Sequence, residues 1–275
     1  MAKEKIGWIG LGNIGLPMAK RLVGAGFEVI VCGHMRRQPV EEMKAMGARE
    51  VANPKEVAGA SNIIFSMVRD VPQTGEVLFG PKGVWEGAKR GSTLVLSSTL
   101  APDFCQEVKG KGKQRGLQVI DAPVSGGPRA AEAGTLTFFV GGDKRVLRKC
   151  RPLLEAMGKN IFHLGGVGTG QVAKLSNNVM LMASILATGE GIALAEKVGL
   201  HYDVLLETIK VSSGNSWSVQ NYDYLPILAE EGSLELLYKD LGLVLEFASH
   251  VGLRLPLSGL ASQLEFPRFP PPREK

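Results

Sequence analysis

Cysteine is scarce in this 275-residue chain: Cys32, Cys105 and Cys150 are an odd number at wide, unpatterned spacing. That excludes a disulfide framework or a thiolate metal site and fits a reducing, cytoplasmic setting. Histidine is as sparse, and His34, His163, His201 and His250 lack metal-ligand spacing, so no metal is expected. Long hydrophobic runs are missing too. The longest, 179–187, contains Ser184 and is soon followed by Glu190, well short of the roughly 20 residues of a membrane span. It reads as a buried helix, and no membrane partner is expected. The opening Met1-Ala2-Lys3-Glu4-Lys5 leads into a short apolar segment without the pattern of a signal peptide, so no export is expected. Neither charge sign dominates: 32 basic against 27 acidic residues give +5, which suits an anionic small substrate or cofactor. The basic runs at 109–113 and 144–149 lack interleaved aromatics and read as solvated faces, so nucleic acid is not expected as a partner. With 44% hydrophobic and 21% charged residues and no biased tract or internal repeat, disordered, collagenous and coiled-coil classes are excluded.

Glycine, by contrast, is abundant at 35 residues, which points to tight turns or close backbone approaches to a ligand. The length suits about two domains. Strand-like runs at 6–11, 28–31, 62–67, 93–97, 118–121, 136–140 and 160–163 alternate with helical patterns such as 16–25, 40–46, 102–109 and 143–157. This is the signature of βαβ units around a mostly parallel sheet, an α/β doubly wound Rossmann domain over 1–165. After His163 the strand signals stop. Glycines at 165, 166, 168 and 170 precede a helical pattern at 171–198, and further patterns at 204–210, 225–230 and 241–250 complete an all-α domain over 166–275. The proline-rich segment 266–275 reads as a frayed or extended tail.

The sharpest local signal is Gly10-Leu11-Gly12-Asn13-Ile14-Gly15, a GxGxxG between an apolar strand and a helix. Gly10 permits the tight turn, Gly12 admits a pyrophosphate to the backbone, and Gly15 lets helix and strand pack closely. The helix N-terminal amides would hold the phosphates. A dinucleotide site usually has a carboxylate for the adenosine ribose at the end of the second strand. None stands here: Val31-Cys32-Gly33-His34-Met35-Arg36-Arg37 offers two guanidinium groups instead. Their charge and fork geometry match a 2′-phosphate, which favours NADP while NAD stays possible; the alternative is a solvated basic turn.

Four blocks come in a recognisable order. They are the stretch from Gly10 through Leu16-Pro17-Met18-Ala19; Asp121-Ala122-Pro123-Val124-Ser125-Gly126-Gly127; Gly168-Thr169-Gly170-Gln171-Val172-Ala173-Lys174-Leu175-Ser176-Asn177-Asn178; and Lys239-Asp240-Leu241. Jointly they resemble the β-hydroxyacid dehydrogenase family. The resemblance implies a Rossmann domain, a long interdomain helix and an all-helical domain that often mediates homo-oligomerisation. It implies Lys174 as the catalytic lysine, Ser125, Gly126 and Gly127 as the clamp for a small carboxylate-bearing substrate, and Asn178 as a substrate-positioning residue. Met67 and Val68 resemble the cofactor-wall loop, Thr99 the position facing nicotinamide and substrate, and Lys239 the lysine that closes over both.

Each assignment has a plainer alternative. Lys174 and Asn178, four apart, share a helix face, where an ammonium beside an amide can hold a carbonyl oxygen; otherwise Lys174 is a solvated helix lysine. The backbone amides after Ser125 can receive a carboxylate, or the segment is a plain turn. Lys239-Asp240 otherwise reads as a helix start with Asp240 near the N-cap. Trp217 either walls a pocket or belongs to the core. Two departures from the resemblance are expected to matter: a compressed loop at 232–238 and the prolines at the end. The function expected is hydride transfer between NADP(H) and a small 3-hydroxy acid, semialdehyde or 2-oxo acid. A non-catalytic NADP-binding interaction module and an imine reductase are the alternatives, against which the presence of Lys174 argues.

Overall fold

The computed structural model describes residues 4–33 and 35–267, as an α/β unit up to Lys174 and a helical unit from Leu175. His34 and residues 268–275 of the expected tail lie outside the described residues. The first unit runs β1 (Lys5–Ile9), α1 (Gly15–Gly24), β2 (Glu28–Cys32), α2 (Gln38–Ala45), β3 (Arg49–Val51), α3 (Pro54–Ala60), β4 (Ile63–Ser66), α4 (Val71–Phe79) and α5 (Val84–Gly87). It continues with β5 (Thr93–Leu96), α6 (Pro102–Arg115), β6 (Gln118–Asp121), β7 (Val124–Ser125), α7 (Gly127–Ala133), β8 (Leu136–Gly141), α8 (Lys144–Met157) and β9 (Gly158–Gly165). Helix α9 (Thr169–Lys197) leads into α10 (Tyr202–Ile209), α11 (Trp217–Gln220), α12 (Leu225–Glu230), α13 (Ser233–His250) and α14 (Pro256–Ala261).

Strands β3, β2, β1, β4, β5 and β6 lie side by side in that order, all parallel. Every residue of β4 and β5 is buried, as expected for parallel strands covered by helices on both faces. Alternate side chains supply two cores: Ile6, Trp8 and Phe65 join one, Ile9, Ile64 and Leu96 the other. Strand β8 runs antiparallel to β6 and β7, and β9 pairs parallel with β8. Helices α3 and α4 are set by caps, since the side chains of Asn53 and Asp70 accept the backbone N–H of Glu56 and Gln73 and a proline opens each helix.

The helical unit departs from the sequence reading in three places. The segment 232–238 is not a loop, because α13 begins at Ser233. Lys239 and Asp240 therefore sit inside α13 and not at a helix start: the apolar spacing of Leu234, Leu241 and Val244 carries the helix face back through them. Trp217 is 41% exposed, so it is not a core residue. Helix α9 spans the helical pattern read at 171–198, and by length and composition it is apolar enough to cross a membrane. Its Ile185 and Ile192 pack with Leu206, Leu225 and Leu234 in a core of the helical unit. It is not covered all round, however, since Met180 and Leu194 are each 71% exposed.

Candidate active site

The chain leaves β1 toward β2 on one side and later returns to β4 on the other, so strand order reverses at the ends of β1 and β4, the usual ligand crevice of open α/β sheets. The turn Gly10-Leu11-Gly12-Asn13-Ile14-Gly15 fills that position, and the Trp8 indole N–H donates to the Gly10 carbonyl at 2.9 Å. Gly10 has φ +104°, and a Cβ there would stand 2.1 Å from the Met67 carbonyl oxygen. A Cβ on Gly15 would stand 2.1 Å from the Gly10 carbonyl oxygen. Packing within the protein thus demands two of the glycines. Gly12 differs: a Cβ there would meet nothing within 4 Å among the described residues. Its bare backbone fits the approach of a pyrophosphate, with the amides that open α1 as donors.

From this turn a chain of contacts leads to α9. Gly10 adjoins Met67 and Val68. The Val68 N–H donates to Ser98 Oγ at 2.9 Å. Gln171, in the first turn of α9, donates from Nε2 to the Ser98 carbonyl at 2.9 Å and accepts the Leu100 N–H on Oε1 at 2.9 Å, so it brackets Thr99. Lys174 follows Gln171 by three residues and is half-buried. The structure thereby groups the glycine turn, Met67, Val68 and Thr99 and adds Ser98 and Gln171, which the sequence reading had missed.

Asp121, at the end of β6 and fully buried, points its carboxylate at the same turn of α9. Oδ1 accepts the Gly168 N–H at 2.6 Å and Oδ2 the Gln171 N–H at 2.9 Å. Burial nevertheless outweighs these donors and pushes its pKa up to about 6. Ser125 ends β7, and Gly126 and Gly127 follow with φ +129° and +70°, conformations that favour glycine.

In the helical unit, buried Asn178 donates from Nδ2 to Asp240 Oδ2 at 2.6 Å. The Lys239 ammonium lies 2.7 Å from Asp240 Oδ1. Asn178 and Lys239 thus share one carboxylate, Asp240, in place of the N-cap role weighed for it. Lys174 and Asn178 lie one turn apart along α9.

The two arginines differ. Arg37 is engaged by Glu50 of β3 and Glu41 of α2, and Lys44 joins the same carboxylates. Hydrogen bonding to Arg37 holds the Glu50 and Glu41 carboxyls below their ordinary range. Arg36 is exposed and has no carboxylate partner among the described residues.

Residues 5–165 match the family model described as the NAD binding domain of 6-phosphogluconate dehydrogenase, and residues 168–265 match the NAD-binding of NADP-dependent 3-hydroxyisobutyrate dehydrogenase. The chain belongs to the β-hydroxyacid dehydrogenase family. Among its relatives in that family, the NAD-dependent L-serine dehydrogenase of Pseudomonas aeruginosa is 36% identical over 95% of this chain and 91% of its own length. The mitochondrial 3-hydroxyisobutyrate dehydrogenase of Mus musculus is 36% identical over 96% of this chain and 81% of its own length. The solved structure of Mycobacterium tuberculosis 3-hydroxyisobutyrate dehydrogenase with L-serine superposes with a TM-score of 0.83 at 31% identity, covering 95% of this chain and 92% of that one. The family member described here is thus an oxidoreductase that acts on CH–OH with a nicotinamide dinucleotide.

Proposed function

We propose that this dehydrogenase transfers hydride between NADP(H) and a small 3-hydroxy acid, the corresponding semialdehyde or a 2-oxo acid, with Lys174 as the proton donor and acceptor. The observation that carries the reading is the line of contacts from the glycine turn through Val68, Ser98 and Gln171 to the turn of α9 that bears Lys174. The bound nicotinamide supplies or accepts the hydride. Lys174 meets the negative charge that grows on the substrate oxygen in the transition state and delivers its proton there. Ser125, Gly126 and Gly127 receive the carboxylate, and Asn178 orients the substrate beside Lys174. Two relatives named for serine and 3-hydroxyisobutyrate, both carboxylates with a hydroxyl on C3, support the substrate class. Purified protein assayed with both cofactors against serine, 3-hydroxyisobutyrate, short semialdehydes and glyoxylate tests this through the absorbance of reduced nicotinamide. Tight NADPH binding without turnover of any of them would leave a binding module.

For the cofactor, we expect NADPH to bind at least about tenfold more tightly than NADH, a difference of about 1.4 kcal/mol. The absence of a carboxylate after Val31 and the exposed Arg36 support this. Arg37 contributes less, because Glu50 and Glu41 already take up its donors. Isothermal titration with both cofactors measures it: Arg36→Ala should weaken NADPH selectively, and equal affinities in the parent protein would sink the preference.

The exposed Met180 and Leu194 of α9, with Val198 just beyond its end, support a subunit interface there, since apolar side chains of this size favour cover. A homo-oligomer is expected in sedimentation at micromolar concentration, and a monomer there would remove the interface. Three unpaired, buried thiols support a cytoplasmic setting, which fractionation of the native host checks.

A further inference from the structure

We propose that Asp121 and Gln171 are the positioning residues of the reaction, fastening the first turn of α9, and through it Lys174, to the ends of β5 and β6. The proposal rests on the reading of Lys174 as the proton donor. A helix begins with backbone N–H groups that lack intrahelical partners, and ordinarily a polar side chain just before the helix accepts one. Before Thr169 this chain has Gly165, Gly166, Val167 and Gly168, none of which carries an acceptor side chain. The acceptor comes from far away in sequence: Asp121 spans 47 residues to Gly168 and 50 to Gln171, one oxygen to each amide. Its negative charge also suits the positive end of a 29-residue helix.

The carboxylate is wedged in place. A Cβ on Gly170 would lie 2.6 Å from Oδ2 and 2.3 Å from the Phe139 carbonyl oxygen, and one on Gly141 would lie 2.4 Å from Oδ1. Only glycine on both flanks leaves room for the charged group. Gln171 adds a second, independent tie. Fully buried, it bonds the backbone on both sides of Thr99, and Ser98 in turn holds Val68 of the cofactor wall. The turn that bears Lys174 is therefore registered against the strand ends where the cofactor turn sits. A misplacement of about 1 Å in a reacting group can cost on the order of a hundredfold in rate, which gives such a tie its kinetic weight. A carboxylate kept ionised in this setting is costly, because burial raises its pKa to about 6. Among the described residues, Cys105 of α6 is a titratable group close enough to interact with it, and burial pushes that thiol well above its ordinary range, so it stays neutral.

The test is a double-mutant cycle on the full chain, with NADPH and whichever substrate of the assay panel turns over fastest. Asp121→Asn keeps the size of the side chain but turns one acceptor into a donor. It should lower kcat about tenfold or more with the KM for NADPH within about twofold, and should change the residual kcat of Lys174→Ala by less than about twofold. In the parent protein kcat should fall as pH drops through about 6, where Asp121 takes up a proton, and Asp121→Asn should lack that limb. Amide hydrogen exchange at Gly168 and Gln171 should quicken in Asp121→Asn whether or not substrate is present. Equal losses from Asp121→Asn in both backgrounds, or no loss in either, would overturn the proposal. Full activity of Lys174→Ala alone would instead overturn the reading of the lysine. Should Asp121→Asn fail to fold, Gln171→Met, which keeps the length and loses its side-chain bonds to both sides of Thr99, goes through the same double-mutant cycle with the same kcat outcomes, while it keeps the acid limb of Asp121.

Discussion

Alanine in place of Lys174 should cut turnover by about a hundredfold or more, the lower end of what a general acid contributes, and leave NADPH affinity nearly unchanged. In the proposed role the ammonium acts on charge that exists mainly in the transition state, so its removal should raise the barrier without weakening the ground state. On the proposed reading the cofactor is held elsewhere, by the turn Gly10–Gly15 and by Arg36. Asn178→Ala should behave differently, raising KM with a smaller loss of kcat, because in the proposed reading the amide orients the substrate and does not carry the proton. Its removal also takes a donor from the buried Asp240. Steady-state kinetics with titration of NADPH separates these outcomes. A Lys174→Ala protein with full activity, or with NADPH binding lost in proportion to activity, would contradict the assignment.

The second large effect is expected on stability. Trp8 is fully buried on β1 and stacks on Phe65 of β4 with ring centroids 5.0 Å apart. Trp8→Ala removes that contact and leaves a cavity, which should cost about 3–5 kcal/mol in urea unfolding. Trp8→Phe should retain most of the core packing yet lose the bond from the indole N–H to the Gly10 carbonyl. NADPH affinity should therefore fall in Trp8→Phe by more than its modest loss of stability explains. An unchanged affinity would show that the indole does not steady the glycine turn.

The glycine turn was legible because three demands on one short segment, a tight turn, a close approach and a helix start, all select the same residue type. Strands β4 and β5 were legible as short apolar runs, and α9 as a long helical pattern after a cluster of glycines. What escaped was short or remote. Strand β3 has three residues and β7 two, too few to display a period, though both pair with neighbours. Helices α3 and α4 carried a cap and proline each, at Asn53-Pro54 and at Asp70 before Pro72, but their apolar faces are brief. The partners of the site residues were hidden for another reason. Glu50 reaches Arg37 across 13 residues, Asp240 reaches Asn178 across 62, and Asp121 reaches Gly168 across 47. Such pairs depend on how strands and helices return to one another, which no local spacing encodes.

The carboxylate at the start of α9 also makes folding a proton-linked event. In the unfolded chain Asp121 has its ordinary pKa of 3.8, and in the folded protein about 6. At pH 5 the chain therefore takes up a proton at this residue as it folds. A carboxyl raised in this way gives its full contribution to stability below pH 3.8 and loses it as the pH climbs through about 6, a change of roughly 3 kcal/mol. The surface carboxyls of Glu41, Glu42, Glu50 and Asp143 are shifted downward and act in the opposite sense, losing their contribution as the pH falls. Comparing urea unfolding of the parent protein with Asp121→Asn at pH 4 and pH 7 cancels those surface groups. The parent should lose ground to the variant on the alkaline side, so that the charge holding α9 in place is kept at neutral pH at the expense of thermodynamic stability.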